Sequence, residues 1–426
     1  MRPIIVFFAT LLPLCAQQPD YATFGALAFR SGFPVVEMAR WRNRFLTAGG
    51  SVNRFFHRRD ALDPLSGEAL PNADALYSSA WLDLRAGPIT LKVPELGSRY
   101  VVLQLIDAWT ATFAVYHGAE LGPEATTLYL TPPGWSGKVP AGMRRVDCPT
   151  ALVVLWLRIF AGGEGEIPAL RQLQDRFILT APPAAPPARV PFPGGFLEEL
   201  CGLLPWNPPP AALRPDFDKL APLGVRLGGN CSAAGLTEDA RREADAAMDR
   251  SHRALPDAVR QPRWIDGGWA WFDAGPAAPR TVDERILRAR AGAGAFAALP
   301  AAESMYAIGF ADSDGQPLLG DRGYEILLDS SGLPPADGFW SITVYTAAGR
   351  PVPRARHSVN SATPGLVKEH GVIRITLGPS IALGQQSHWL PTRPGEGVRV
   401  VLRIYQPRAE ARNRSWHAPL IVRVKD

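Results

Sequence analysis

Leu76-Tyr77-Ser78-Ser79-Ala80-Trp81-Leu82-Asp83-Leu84 is the stretch whose reading decides the fold. Successive side chains of an extended chain point to opposite faces. Leu76, Ser78, Ala80 and Leu82 therefore share one face, and Tyr77, Ser79, Trp81 and Asp83 share the other. Asn72 and Asp74 stand in the turn that leads into this strand. Outward from it, residues 89–93, 100–106, 112–116, 126–130 and 151–160 are rich in β-branched and aromatic side chains, punctuated by Gly, Pro and Asp. Short strands with turn chemistry between them predict a sandwich or barrel.

The same signature returns at residues 307–310, 324–328, 339–345, 372–377, 398–405 and 420–424, with turns such as Ser313-Asp314-Gly315 between them. Helical patterns frame the strands. Residues 21–47 place Val35, Val36, Met38, Ala39, Trp41 and Phe45 on a helix face, with Pro34 read as a first-turn proline. Residues 167–177 read as a short closing helix. Thr237 caps a helix running to Leu255, which Pro256 stops. Thr281-Val282-Asp283-Glu284 is a capping box, with Glu284 and Arg288 an i,i+4 pair and Pro300 ending the helix. The Ala/Pro-rich run 181–193 reads as a linker or surface strap.

The chain of 426 residues exceeds one ordinary core. The expected fold is mainly β with helical additions (α+β): two β-sandwich or jelly-roll-like domains joined by a partly helical, Pro-rich middle segment. The expected boundaries are a signal peptide at 1–16, an N-terminal β domain with its leading helix at 17–180, a linker and helical segment at 181–300, and a C-terminal β domain at 301–426.

The signal peptide rests on Arg2 followed by an apolar run from Ile4 to Leu14, then Cys15, Ala16, Gln17 and Gln18. That run falls short of the about 20 residues a membrane-spanning helix needs. Lipidation of Cys15 is disfavoured by Leu14 before it, so cleavage after Ala16 and release as a periplasmic or secreted protein, with no stable membrane anchor, is the expectation. An oxidising compartment permits disulfides. Of the remaining cysteines, Cys201 and Cys231 flank one Pro-rich insertion and form the plausible pair, and Cys148 reads as a buried free thiol. Net charge is +5, but the basic pairs Arg58-Arg59, Arg144-Arg145 and Arg241-Arg242 are isolated, so a nucleic-acid partner is not expected.

Long motifs resemble a known pair of families. Asn53-Arg54-Phe55-Phe56-His57 and Pro71-Asn72-Ala73-Asp74-Ala75-Leu76-Tyr77, with Arg99-Tyr100, Gln104-Leu105-Ile106-Asp107 and Pro133-Gly134-Trp135, are similar to bacterial domain-of-unknown-function family 1254. Asp312-Ser313-Asp314-Gly315, Gly338-Phe339-Trp340-Ser341, Trp389-Leu390-Pro391 and Leu402-Arg403-Ile404-Tyr405-Gln406-Pro407 are similar to its companion, family 1214. The resemblance implies sandwich or jelly-roll-like domains and export, and it implies no agreed reaction. It also marks two departures: Ala75 stands where the family usually has Thr, and Ala111, after Trp109-Thr110, where it usually has Asn.

The densest polar constellation is Asn53, His57, Asn72, Asp74, Tyr77, Asp83 and Asp107. If they converge, Asp74 and Asp107 with His57 and Tyr77 suit general acid–base work. Against this stands an Asx turn at Asn72 and Asp74 with Tyr77 packed by its ring. Asn53 and Asn72 are candidate ligand contacts. In the second domain Arg356, His357, His388, Trp389 and Arg403 suit a sugar- or carboxylate-binding face, the alternative being core tryptophans beneath a solvated surface. The histidines lack metal-site spacing, so neither a metal nor another cofactor is expected. The resulting first reading is an envelope binding protein for a carbohydrate or other small polar ligand. A hydrolase or lyase built on the carboxylate pair is the alternative, and a structural envelope protein the third.

Overall fold

The computed structural model describes residues 19–61, 70–122, 124–183, 195–255, 262–272, 279, 281–290, 297–329, 332–352, 357–366, 371–381 and 388–424. The signal-peptide and Cys15 readings, most of the Ala/Pro-rich run and Arg356 lie outside these residues, as does the side chain of Arg288.

The first half carries α1 (Tyr21–Thr47), β1 (Phe56–His57), β2 (Ala75–Asp83), β3 (Ile89–Val93), β4 (Val101–Asp107), β5 (Thr112–His117), α2 (Gly118–Leu121), β6 (Thr126–Thr131), β7 (Arg144–Asp147), β8 (Leu152–Phe160), α3 (Ile167–Asp175) and β9 (Ile178–Thr180). A five-stranded sheet, β1-β2-β8-β4-β5, packs on a four-stranded sheet, β7-β6-β3-β9. Between them lies an aliphatic core that takes Leu76, Ala80 and Leu82 from β2, Leu103 and Leu105 from β4, Val153 to Ile159 at alternate positions of β8, and Ile89, Leu91, Leu128 and Leu130 from the facing sheet. The face of β2 that carries Leu76 is thus the inner one.

The second half carries α4 (Phe196–Leu203), α5 (Arg214–Asp218), α6 (Glu238–Arg253), β10 (Trp264–Asp266), β11 (Trp269–Phe272), α7 (Val282–Arg290), β12 (Ser304–Gly309), β13 (Tyr324–Leu328), β14 (Ala336–Thr346), β15 (Ser358–Asn360), β16 (Ile373–Gly378), β17 (Trp389–Pro391), β18 (Val398–Pro407) and β19 (Ile421–Arg423). A six-stranded sheet, β10-β11-β12-β18-β14-β15, packs on a second four-stranded sheet, β17-β16-β13-β19. Their shared core includes Trp269, Trp271, Ile342, Ile375, Leu402 and Ile404. The protein is α+β, and among the described residues there are four sheets, none of which closes into a barrel. The hairpin β10–β11 belongs to this sandwich although it lies in the stretch read as the helical middle. Gly267 and Gly268 turn it at φ +53° and +81°, the positive-φ pair that a two-residue hairpin loop requires.

Helix α1 starts at Asp20, whose Oδ1 accepts the Thr23 N–H at 2.9 Å. Pro34 does not sit in its first turn. It lies buried in the helix interior, where it removes one intrahelical hydrogen bond. Packing holds the helix there: α1 lies against α4, α6 and α7, and Phe29, Phe33, Val36 and Met38 share one apolar core with Leu197, Leu200, Phe217, Ala244 and Ile286. α6 is capped by Thr237 Oγ1, which accepts the Ala240 N–H, and the Glu284 N–H donates to Thr281 Oγ1 at the start of α7. Cys201 and Cys231 are joined by a disulfide. The loop between them makes it worth about 3–4 kcal/mol on chain-entropy grounds. Cys148 is free and buried, and burial pushes its thiol up to about 12, which leaves it protonated and unreactive near neutrality.

Candidate functional site

The outer faces of the two large sheets meet. On the N-terminal sheet, alternation sends Tyr77, Ser79 and Trp81 of β2 outward, because Leu76, Ala80 and Leu82 fill the sandwich. The pairing then stacks three rungs: Trp81, Val154 and Ile106; Ser79, Trp156 and Gln104; Tyr77, Arg158 and Val102. The first rung is apolar and lies under the helical layer. The next two are increasingly polar. On the C-terminal sheet, Tyr306, Arg403, Ser341 and Asn360 form one cross-strand row, with Ser304, Tyr405 and Phe339 beside it. Met305, Leu402 and Ile404 face the other way, into the core.

Hydrogen bonds close the two faces on each other. Asn72 Nδ2 donates to the Tyr405 hydroxyl at 2.6 Å, while its Oδ1 accepts the Asp74 N–H at 2.7 Å. This is the Asx turn read in the sequence, with its amide spent on the opposite domain. Asn360 Nδ2 donates to Asp74 Oδ1 at 2.9 Å. Arg403 donates to Thr343 Oγ1 (3.0 Å), the Tyr345 hydroxyl (3.0 Å) and the Leu70 carbonyl (2.9 Å), and the Tyr345 hydroxyl donates to the Pro71 carbonyl. Arg158 donates to Gln104 Oε1 at 2.8 Å and to the Ala297 carbonyl, and its guanidinium lies 5.7 Å from the Tyr77 ring centroid. One edge is sealed by Phe339, stacked between Phe160 (4.0 Å) and Tyr405 (4.2 Å). Gly338 admits Tyr100 there: a Cβ at 338 would stand 2.9 Å from two of its ring carbons. The Tyr100 hydroxyl donates to Glu303, which also holds His117 Nε2 at 3.1 Å.

Burial raises the phenol pKa of Tyr77 and Tyr345, and raises that of Tyr405 well above the ordinary value, against the pull of Arg403 and neighbouring cations. These hydroxyls stay protonated and able both to donate and to accept. Burial works against the charge of Arg403, but Tyr345, Tyr405 and Asp74 around it hold its pKa above the usual value. Two acceptors are left over. Asp74, 1% exposed, has no partner for Oδ2 among the described residues, and the same is true of Ser341 Oγ, which is wholly buried. An unpaired buried oxygen of this kind is costly, on the order of 1–3 kcal/mol.

The structure brings together only part of the predicted constellation. Asn72, Asp74 and Tyr77 belong to the interface, and Ala75, one of the two departures from the family pattern, faces it beside Phe160. Asp107 does not. Ala75 pairs with Phe160 and Asp107 with Val153, seven residues away along β8, and Asp74 lies one position beyond Ala75, so Asp74 and Asp107 are about 26 Å apart along the strand direction. Asp107 Oδ1 accepts the N–H groups of Trp109 and Ala111 at 2.8 Å each and shapes a turn. His57 contacts Ser78 Oγ at 2.7 Å, and Ser78 lies on the inner face with Gln174. The acid–base pair with its histidine is therefore not assembled: period-2 alternation and strand length keep the three groups apart. Asn53, at φ +59°, brackets the end of β2 through the Asp83 N–H at 2.8 Å. His388 and Trp389 sit on the smaller C-terminal sheet, bonded to the carbonyls of Arg374 and Gly378.

Arg158, Tyr306, Tyr345, Asn360 and Tyr405 are not among the site residues read from the sequence. Their signal was there: a charged or phenolic residue at alternate positions of an otherwise aliphatic strand, as in Leu157-Arg158-Ile159 and Leu402-Arg403-Ile404-Tyr405. Among the described residues no three His, Cys, Asp or Glu side chains are grouped to hold a metal ion, and no helix is long and apolar enough to cross a membrane.

Residues 52–181 match the model of DUF1254, a family of proteins of unknown function, and residues 303–409 match that of DUF1214, likewise of unknown function. No curated protein matches the chain. The VPA0106 protein from Vibrio parahaemolyticus shares its fold, at a TM-score of 0.75 and 21% identity over 95% of this chain and 100% of that one. A putative uncharacterized protein from Burkholderia cenocepacia aligns at 0.47 and 12% identity over 95% and 96% of the two chains.

Proposed function

We propose that this chain, which unites a DUF1254 half and a DUF1214 half, is an exported binding protein whose ligand is a small neutral polyhydroxyl molecule, a carbohydrate first of all, held between the two large sheets. The observation that carries this reading is the buried Asp74 Oδ2, without a partner among the described residues, on an N-terminal-half carboxylate that faces Tyr345 and Arg403 of the C-terminal half. A buried carboxylate oxygen without a donor accepts a hydroxyl and repels an anion. Protonated phenols at Tyr77 and Tyr405, and Ser341 Oγ, complete a set of donors and acceptors of the kind that sugar hydroxyls match. Export is supported by the Cys201–Cys231 disulfide, a bond at home in an oxidising compartment.

Calorimetric titration of the full chain with a panel of neutral mono- and disaccharides tests the reading. At least one sugar binds, and Asp74→Asn weakens it about tenfold, the loss of one charge-assisted hydrogen bond. The Asn360 bond to Oδ1 survives that substitution, so the two halves stay docked. Binding of the best sugar at full strength by Asp74→Asn, or silence across the panel at millimolar sugar, overturns the proposal.

A further inference from the structure

A cleft lies in the helical layer, and none of its lining residues belongs to the polar faces described above. Its volume is about 700 Å³, within the roughly 300–1,000 Å³ of small-molecule sites. One wall is Leu204, Pro205, Pro208 and Pro209, continuing from the C-terminal end of α4. Prolines have no N–H to donate, so this wall is mostly apolar surface. Leu227, Gly228 and Gly229 line it from a second segment, and Arg214, Asp218 and Arg226 complete the lining. Two arginines against one aspartate leave one net positive charge. Among the described residues neither arginine side chain is committed to an ion pair or hydrogen bond, unlike the arginines between the sheets.

The disulfide stands at the root of both walls. Cys201 precedes Leu204 by three residues and Cys231 follows Gly229 by two, with their Cα atoms 5.1 Å apart. The crosslink therefore fixes the spacing of the proline wall and the glycine wall before any ligand arrives, which lowers the ordering cost of binding.

We propose that this cleft binds a small amphipathic monoanion, a carboxylate on an aliphatic or aromatic body. The apolar wall takes the body, and Arg214 and Arg226 take the carboxylate, the bidentate acceptor that guanidinium geometry suits. The single net charge matches a monoanion better than a dianion or a cation. This site is independent of the one between the sheets.

The oxidised full chain is titrated by calorimetry with laurate and with naphthoate, each beside its neutral methyl ester. One or both acids bind at one site per chain, and the better acid identifies an aliphatic or an aromatic ligand. The ester binds at least about tenfold more weakly, as loss of a charged hydrogen-bond partner predicts. Arg214→Gln with Arg226→Gln abolishes the preference for the acid. Asp218→Asn, which raises the local charge, tightens it several-fold. Reduction of the disulfide weakens binding of the acid while the rest of the fold keeps its circular dichroism. Equal binding of acid and ester, an unchanged affinity in the double arginine variant, weaker binding by Asp218→Asn, or no binding by either acid overturns the proposal.

Discussion

The outer face of the N-terminal five-stranded sheet has two ends that differ in kind although the same strands build both. At the Asp83 end the rung of Trp81, Val154 and Ile106 joins an apolar core with α1 and its neighbouring helices. At the Asp74 end the rung of Tyr77, Arg158 and Val102 is covered by the C-terminal sheet, whose facing row is Tyr306, Arg403, Ser341 and Asn360. Apolar cover is the inexpensive way to bury a sheet face, since the hydrophobic effect rewards it without geometric demands. Polar cover needs each donor and acceptor matched, and among the described residues Asp74 Oδ2 and Ser341 Oγ have no partner.

The comparison breaks most readily at Trp81. Trp81→Ala empties a large buried volume between sheet and helices and lowers unfolding free energy by about 3–5 kcal/mol, read by urea denaturation. A loss under about 1 kcal/mol would mean that the helical layer is not anchored on this rung. At the polar end Asn360→Ala removes the partner of Asp74 Oδ1 and costs about 2–3 kcal/mol, the penalty of a stranded buried carboxylate. Because Asp74 and Asn360 belong to different sandwiches, that loss appears in scanning calorimetry as two separated transitions in place of one. A single shifted transition would argue that the phenyl seal around Phe339, and not the polar row, couples the halves.

The smallest effect concerns pH. His117 is held above its ordinary pKa, first by its hydrogen bond to Glu303 and against the pull of burial. A histidine raised on folding contributes stability that is fully present below its unfolded value, about 6.5, and is lost as pH rises through its folded value. The latch between Tyr100, His117 and Glu303 is therefore stronger at pH 6 than at pH 8. Burial lowers His57 and His357, and these two act in the opposite sense, so the comparison is made against His117→Gln. The difference between the two proteins' melting temperatures shrinks from pH 6 to pH 8; a constant difference would remove the ionic part of the latch.

Local pattern carried a great deal. Alternation along residues 76–84 predicts which side chains of β2 fill the sandwich, since adjacent residues in a strand must face apart. The ends of α1, the Thr237 cap and the Asx turn at Asn72 are short-range chemistry and were legible. The hairpin at Gly267-Gly268 was just as local, but the surrounding helical pattern hid it. Pro34 was misplaced because tertiary packing overrides a proline's local preference once the helix face is buried.

The candidate site was legible only in part. Asn72, Asp74 and Tyr77 carry their signal in a turn and an alternating strand, whereas Asp107 and His57 carry a similar signal and lie elsewhere. What separates them is registry and face: seven residues of β8 in one case, the inner side of the sheet in the other. By itself the sequence determined most of the longer strands, the two alternating faces of β2, the cysteine pair and the family resemblance, because each depends on contacts within or beside an element. The meeting of Asn72 with Tyr405 and of Asp74 with Asn360 spans 333 and 286 residues. Only the tertiary structure decided it, because which outer face docks on which follows from the summed complementarity of two whole sheets and from no single stretch of chain.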